Sequence, residues 1–314
     1  MSDLILHQYA GSPFAEKVRA ILGYKRLPWR AVDIPIVMPK PDLTALTGGY
    51  RKTPVLQVGC DVYCDTSLIA RVLDRLHPGS PVHRPSEDGT AVPAGRWLDH
   101  HLFFTVIAHL FDPAVAAISV QALGGPEGAA AFAKDRGEMM ASARVGRPTL
   151  PQAKVTLQEL LTRFEAQLSA SGPFLARDGA PGWIDFCVYH PLWMFSGNSA
   201  LAPQLAAYPR VSEWLDRMRG FGHGEPSALD SGEAVEIARQ SKPVEPSIVP
   251  GPPLEGLEVG DPVSVAADDY ALEPTIGTLA HVGLDEVALE RTDGRAGRVV
   301  VHFPRAGFKI ERPA

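Results

Sequence analysis

The stretch "KPVEPSIVPGPPLE", residues 242–255, divides this chain of 314 residues into two parts with different patterning. Five of its fourteen residues are proline. Proline fixes φ and lacks a backbone donor, so neither a helix interior nor a central strand runs through such a run. A stiff, extended linker is expected at 242–253. Before it, apolar residues recur mostly at helical spacing. After it, Val263–Val265, Ile276–His281, Val287–Glu290, Val299–Phe303 and Phe308–Ile310 are short β-type runs punctuated by Gly and Asp, as at Asp293-Gly294. Five short strands in about 60 residues predict a small, separate all-β unit at 254–314.

The first 80 residues read as α/β. Leu4 to Tyr9 is a strand, and Pro13 to Lys25 a helix with Phe14, Val18, Ile21 and Leu22 on one face. Trp29 to Ile34 is extended again. Pro54 to Val58 and Val62 to Cys64 form a hairpin, and Thr66 to Leu76 a closing helix. A βαβ unit followed by ββα is the thioredoxin arrangement. His83 to Val92 reads as a polar connection. Helices are expected at Ala94–Phe111, Pro151–Ala170, Trp183–Phe195, Arg210–Met218 and Asp230–Gln240, where Asp230 and Glu233 suit a capping box. Residues 124–149, rich in Ala, Gly and charge, carry no clear pattern. The expected organisation is an α/β thioredoxin-like domain at 1–80, an all-helical domain at 86–241, the linker, and a β unit of the SH3-like barrel kind at 254–314.

Charge narrows the partners. The formal net charge is −6, and residues 254–314 hold eleven acidic against six basic residues. Neither nucleic acid nor an anionic membrane is an expected partner. The small β unit lacks a basic footprint and reads as a protein-interaction module or a packing appendage. No apolar run approaches bilayer length, and Met1-Ser2-Asp3 does not open like a secretory leader. Three cysteines, Cys60, Cys64 and Cys187, make no disulfide framework, so a reducing, cytoplasmic setting is expected. No metal site is expected. Cys60 and Cys64 have no matching second pair. His101 and His109 share a helix face but lie about 12 Å apart along it.

"SPFAEKVR" (12–19), "RKTPVL" (51–56) and "DTSLIARVLD" (65–74), in this order, resemble the three signatures of the glutathione transferase family. "WIDFCVYHPLW" (183–193) and "YPRVSEWLDRM" (208–218) are similar to the central and closing helices of its all-α second domain. The likeness covers about 3–222; the segment from 254 lies outside it.

The resemblance implies a homodimeric enzyme of detoxification. It would use glutathione as co-substrate and activate its thiol for attack on a small electrophile. An ordinary thiol has a pKa near 8.5, and lowering it by about two units corresponds to roughly 2.7 kcal/mol. A hydroxyl donor at a helix N-terminus can supply that. Ser12, followed by Pro13 at the first helical position, is placed for it. The competing role for a serine here is an ordinary N-cap. Tyr9 is the rival donor. Ser12-Pro13-Phe14-Ala15 stands where related redox folds carry Cys-Pro-Phe-Cys, which argues against thiol–disulfide exchange. The resemblance further implies a cis bond at Pro54, backbone pairing of Val55 with the cysteinyl part of glutathione, and Asp65 and Thr66 at its γ-glutamyl end. Lys52, and less directly Arg51, would meet the glycine carboxylate. Asp185, three residues after Gly182, reads as a helix-capping acid rather than a catalytic one. Trp97, Phe104 and Trp193 are candidates for an acceptor pocket or for core. A non-catalytic binding or scaffold protein on the same fold is the competing expectation.

Overall fold

A computed structural model describes residues 3–176, 179–243 and 249–313. Strand β1 (Ile5–Gln8), helix α1 (Pro13–Tyr24) and strand β2 (Pro28–Asp33) form the parallel βαβ unit. Helix α2 (Pro41–Thr47) follows, then the hairpin β3 (Val55–Val58) and β4 (Asp61–Cys64), and α3 (Thr66–Leu76). Helix α2 has no counterpart in the sequence reading. The remaining helices are α4 (Asp88–Leu110), α5 (Ala116–Ala122), α6 (Gly125–Met140), α7 (Leu150–Ser171), α8 (Trp183–Gly197) and α9 (Pro209–Gly220), with a 3-10 turn at Ala202–Ala207. A short strand β5 (Glu225–Ala228) then pairs parallel with β2, and α10 (Ser231–Gln240) follows.

Two expectations for the helical part are revised. Helix α4 begins at Asp88 and runs through Pro93, so half of the expected polar connection is helical. Pro93 is the sixth residue of the helix, past the first turn, so it forgoes one intrahelical hydrogen bond, to the carbonyl of Gly89, yet the helix continues on both sides of it. The unassigned segment 124–149 contains α6, whose only buried residues are Asp135 and Met139. A helix that buries so little has no apolar stripe to read.

The last part of the chain forms β6 (Pro262–Ala267), β7 (Thr275–Val282), β8 (Glu286–Asp293), β9 (Gly297–Pro304) and β10 (Phe308–Glu311). The five strands fall where they were expected. Strands β6 to β9 make an antiparallel meander, and β10 returns to pair with β6. They do not stand apart. Strand β9 pairs parallel with β4, through Asp61–Val300, Val62–Val301 and Tyr63–His302. One ten-stranded sheet results, in the order β10-β6-β7-β8-β9-β4-β3-β1-β2-β5. The physical reason is the free edge of β4, whose unpaired backbone groups are covered by the added strand. Residues 244–248 of the expected linker lie outside the described residues.

Two apolar cores flank the sheet. One joins α1 and α3 to the helical domain, with Trp183, Tyr189 and Trp214 fully buried. Asp185 organises it by accepting from the amides of Gly182, Leu175 and Ala176 and from Trp214 Nε1. The structural role expected for Asp185 is therefore what is found. The other core is shared: Leu46 of α2, Val55, Val62 and Val235 of α10 pack with Val263, Leu289 and Phe303. Among the described residues, no helix is long and apolar enough to cross a membrane.

Candidate functional site

A cavity of about 910 Å³ opens between the α/β part, the helical part and the C-terminal strands. Ser12, Tyr9, Lys52, Pro54, Asp65 and Thr66 all line it, although the chain separates the first from the last by more than fifty residues.

Ser12 is buried at the N-terminus of α1, and its Oγ accepts from the amide of Ala15 at 3.2 Å. That is the capping arrangement. It uses a lone pair and leaves the hydroxyl hydrogen without an acceptor among the described residues. Capping and donation into the cavity are therefore compatible. Tyr9 lies at the end of β1, and its hydroxyl accepts from Arg136 Nη2 at 3.3 Å.

The Thr53–Pro54 bond is cis. Thr53 and Pro54 reach the cavity wall, whereas Val55 does not. The expectation for Val55 is corrected here. Its backbone lies between β1 and β4, opposite His7 and Cys64, and its side chain is in the core. A residue flanked on both sides by strands has no backbone groups to spare for a ligand. Thr53, before the cis bond, is outside the sheet ladder.

Asp65 caps α3 with φ 76°, its Oδ1 accepting from the amide of Ser67 at 2.9 Å and from its hydroxyl at 2.7 Å. Its second oxygen has no hydrogen-bond partner among the described residues. Thr66 is buried, and its hydroxyl accepts from Lys17 Nζ at 3.3 Å. The sequence reading passed over Lys17 as an ordinary helix residue. It is fully buried, 2.6 Å from both carboxylate oxygens of Asp99 and 4.3 Å from the ring centre of Trp183. Burial alone would push the lysine down, but the charge of Asp99 outweighs it and holds the ammonium above its usual value. His190 completes the group, 3.0 Å from Asp99 through Nε2; burial lowers its pKa to about 4. Asp99 faces the cavity as well.

Neither basic residue offered for a carboxylate is free. Lys52 Nζ lies 2.5 Å from Asp269 Oδ1 and 4.1 Å from the ring centre of Tyr270. Arg51 pairs with Asp135 and with Glu273, each at 3.0 Å. These acids belong to α6 and to the C-terminal part, more than eighty residues away, so no local pattern announces them. Lys40 is the cation that local reading missed. It is buried behind Tyr9 and Thr53, reaches Thr53 Oγ1 at 3.3 Å, and has no carboxylate partner among the described residues. Burial first, and the charge of Arg136 next, lower its pKa to about 8.

The far wall is apolar and aromatic, with Phe103, Phe104, Ile107, Met140, Tyr270 and Phe308 among its residues. Phe104 is thus a cavity residue as well as a core one. Trp97 is half exposed and stacks on His101, and Trp193 lies beside a second, smaller pocket near Glu16 and His223. The three cysteines are buried and unpaired, and the described residues hold no cluster of metal-ligand type.

Residues 6–81 match the model described as "Glutathione S-transferase, N-terminal domain", and 141–217 that of "Glutathione S-transferase, C-terminal domain". A GST-like protein from Pseudomonas syringae, known from a crystal structure to 2.4 Å, is 41% identical with a TM-score of 0.82, and the match covers 100% of each chain. The C-terminal strands therefore have their counterpart in that relative. Glutathione S-transferase III in its apo form is similar in fold at 20% identity and TM-score 0.50, over 69% of this chain and 92% of that one. Prostaglandin E synthase 2 of Danio rerio is 42% identical over 71 residues, 22% of this chain and only 18% of that protein's length. On the full-length likeness and the two domain matches, the chain belongs to the glutathione S-transferase family.

Proposed function

We propose that the protein binds glutathione as co-substrate and activates its thiol for attack on a small electrophile. The observation that carries this reading is Ser12: a buried hydroxyl at a helix N-terminus, on the cavity wall, with its hydrogen uncommitted. A thiolate there receives a hydrogen bond and the favourable helix end together. Asp65, with one oxygen unpartnered, suits the γ-glutamyl ammonium, and Thr66 the adjoining carboxylate at the start of α3. The backbone of Thr53, in place of Val55, is the group for the cysteinyl portion. For the glycine carboxylate, Lys52 is the cation on the cavity wall, held there by Asp269, while Lys40 lies behind Tyr9 and Thr53 and could serve only through Thr53.

The family context favours a homodimer with a role in detoxifying electrophiles, and the buried, unpaired thiols suit a reducing cytoplasm. We read the C-terminal strands as an SH3-like barrel by their order, with the last strand beside the first, fused to the sheet rather than tethered to it. A scaffold protein would not need a lined cavity of this chemistry.

The test is Ser12→Ala. The pKa of bound glutathione, read from thiolate absorbance, should rise by about one to two units, and turnover of a generic aryl halide should fall by roughly the same powers of ten. Glutathione affinity should change little. An unchanged thiol pKa, with the loss in Tyr9→Phe instead, would move the role to Tyr9. No glutathione binding at millimolar concentration would end the proposal.

A further inference from the structure

His100 of α4 and Asp269 of the β6–β7 connection meet on the cavity wall, from segments 169 residues apart. Asp269 is buried, and three donors converge on its carboxylate. Lys52 Nζ at 2.5 Å and the amide of Tyr270 at 2.6 Å reach Oδ1, and His100 Nε2 lies 2.7 Å from Oδ2. The backbone carbonyl of Asp269 accepts from the amide of Arg144 at 2.7 Å, so the loop is fixed at both ends of the residue.

This geometry settles the histidine tautomer. A carboxylate facing a lysine ammonium offers only lone pairs, so Nε2 must carry the hydrogen. Burial keeps the imidazole pKa below its usual value despite the charge of Asp269, which favours the neutral ring at pH 7. Nδ1 is then a lone-pair acceptor. Among the described residues it has no hydrogen-bond partner, and His100 is part of the cavity wall. The surroundings are aromatic: the rings of Phe104 and Tyr270 lie 6.4 and 6.2 Å from the imidazole, and Phe103 is 5.2 Å from Phe104. An acceptor set in an apolar, aromatic wall selects a flat apolar molecule bearing one hydrogen-bond donor.

We propose that His100, oriented by Asp269, is the polar anchor of the second-substrate pocket, and that the electrophile it selects is aromatic and carries a hydroxyl or N–H. The inference deepens the transferase reading and rests on it for the word substrate. It makes Asp269 a positioning residue supplied by the C-terminal strands, which thereby take part in specificity.

The test is calorimetric titration of the full-length protein with 1-naphthol and with 1-methoxynaphthalene, which has the same rings and no donor. The wild type should bind 1-naphthol about tenfold tighter, the value of one hydrogen bond of about 1.4 kcal/mol. In Asp269→Asn the side-chain amide no longer dictates the tautomer, and in His100→Phe the acceptor is gone. The preference should shrink toward unity in both. The size difference between the ligands is the same in every protein, so the change in ratio reads the hydrogen bond alone. Equal affinities in the wild type, no binding of either naphthalene, or a ratio that survives both substitutions would overturn the proposal. Glutathione is titrated separately. If it fails to bind while the naphthol preference behaves as stated, the transferase reading falls and the anchor stands.

Discussion

Asp65 holds φ at 76° with ψ 136°, outside the left-handed helical region that aspartate and asparagine tolerate, so its backbone is strained in a way glycine alone would avoid. The residue has two jobs that a careless substitution would confuse. It caps α3 through Oδ1, and it presents a charge to the cavity. Asp65→Asn separates them. The amide oxygen keeps the cap and the backbone conformation, while the charge for an ammonium is removed. The thermal midpoint should stay within a few degrees, and glutathione affinity should fall by roughly 1.5–3 kcal/mol, the worth of a hydrogen bond to a charged group. A calorimetric titration beside a melting curve checks both halves. Loss of both together would make the residue structural only. Much of this was legible in the sequence, because Asp65, Thr66, Ser12 and Pro54 are tied to turns and helix starts that local patterns encode. The surroundings of Lys52 and Val55 were not legible, for one reason. What occupies a side chain or a backbone edge is decided by residues such as Asp269 and by the strands β1 and β4, which lie far away in sequence or depend on register.

Helix α1 carries Ser12 at one end, and its far end is fixed by a contact that only glycine permits. A Cβ on Gly23 would stand 2.1 Å from the carbonyl oxygen of Gly222 and 2.6 Å from that of Phe221. Both obstacles are backbone, so no rotamer change relieves them. They belong to the turn that delivers β5 to the edge of β2, and Leu27 and Glu225 hydrogen-bond across the same junction. Gly23→Ala should therefore destabilise the protein by about 1–3 kcal/mol through overpacking. Chemical denaturation measures it. Peripheral turns should lose amide protection before the core of α1 does. Helix α3, with a strong apolar face, was predicted to the residue, and α1, α7 and α8 to within one or two residues at each end. Helices α2 and α6 and strand β5 escaped, because they bury little or begin beside prolines, and their stability comes from partners rather than from their own pattern.

The whole molecule is joined along β4–β9, and a buried histidine sits in that join. His302 lies between Asp61 at 3.1 Å and Glu286 at 3.2 Å, stacked on Tyr63, while Arg75 of α3 reaches Glu286 at 3.0 Å. Burial alone would lower the imidazole pKa, but hydrogen bonds to the two carboxylates overcome it and hold the pKa above its usual value. Glu286 is correspondingly held below its own, despite its burial, by His302 and Arg75. The raised histidine adds stability that is complete below its unfolded pKa of about 6.5 and disappears as pH rises through the folded value. The lowered glutamate adds stability present above about 4.3 and lost as pH falls through its folded value. The join is therefore firmest between those limits. Melting temperature should decline on the alkaline side, and His302→Gln should flatten that limb while lowering stability at pH 6. An identical alkaline decline in the variant would assign it to other groups.

The same join has a consequence for synthesis. Strand β4 ends at Cys64, and the strand that covers its edge ends at Pro304, about 240 residues later. A ribosome adding about 5–20 residues per second needs roughly 12–48 seconds to cover that interval. Throughout it, the nascent chain offers an open strand edge, together with the apolar faces of α2 and, once it has emerged, α10, to whatever else is being made nearby. Slow codons or stalled translation between those points would show as aggregation of the nascent product, with no change in the sequence that is finally folded.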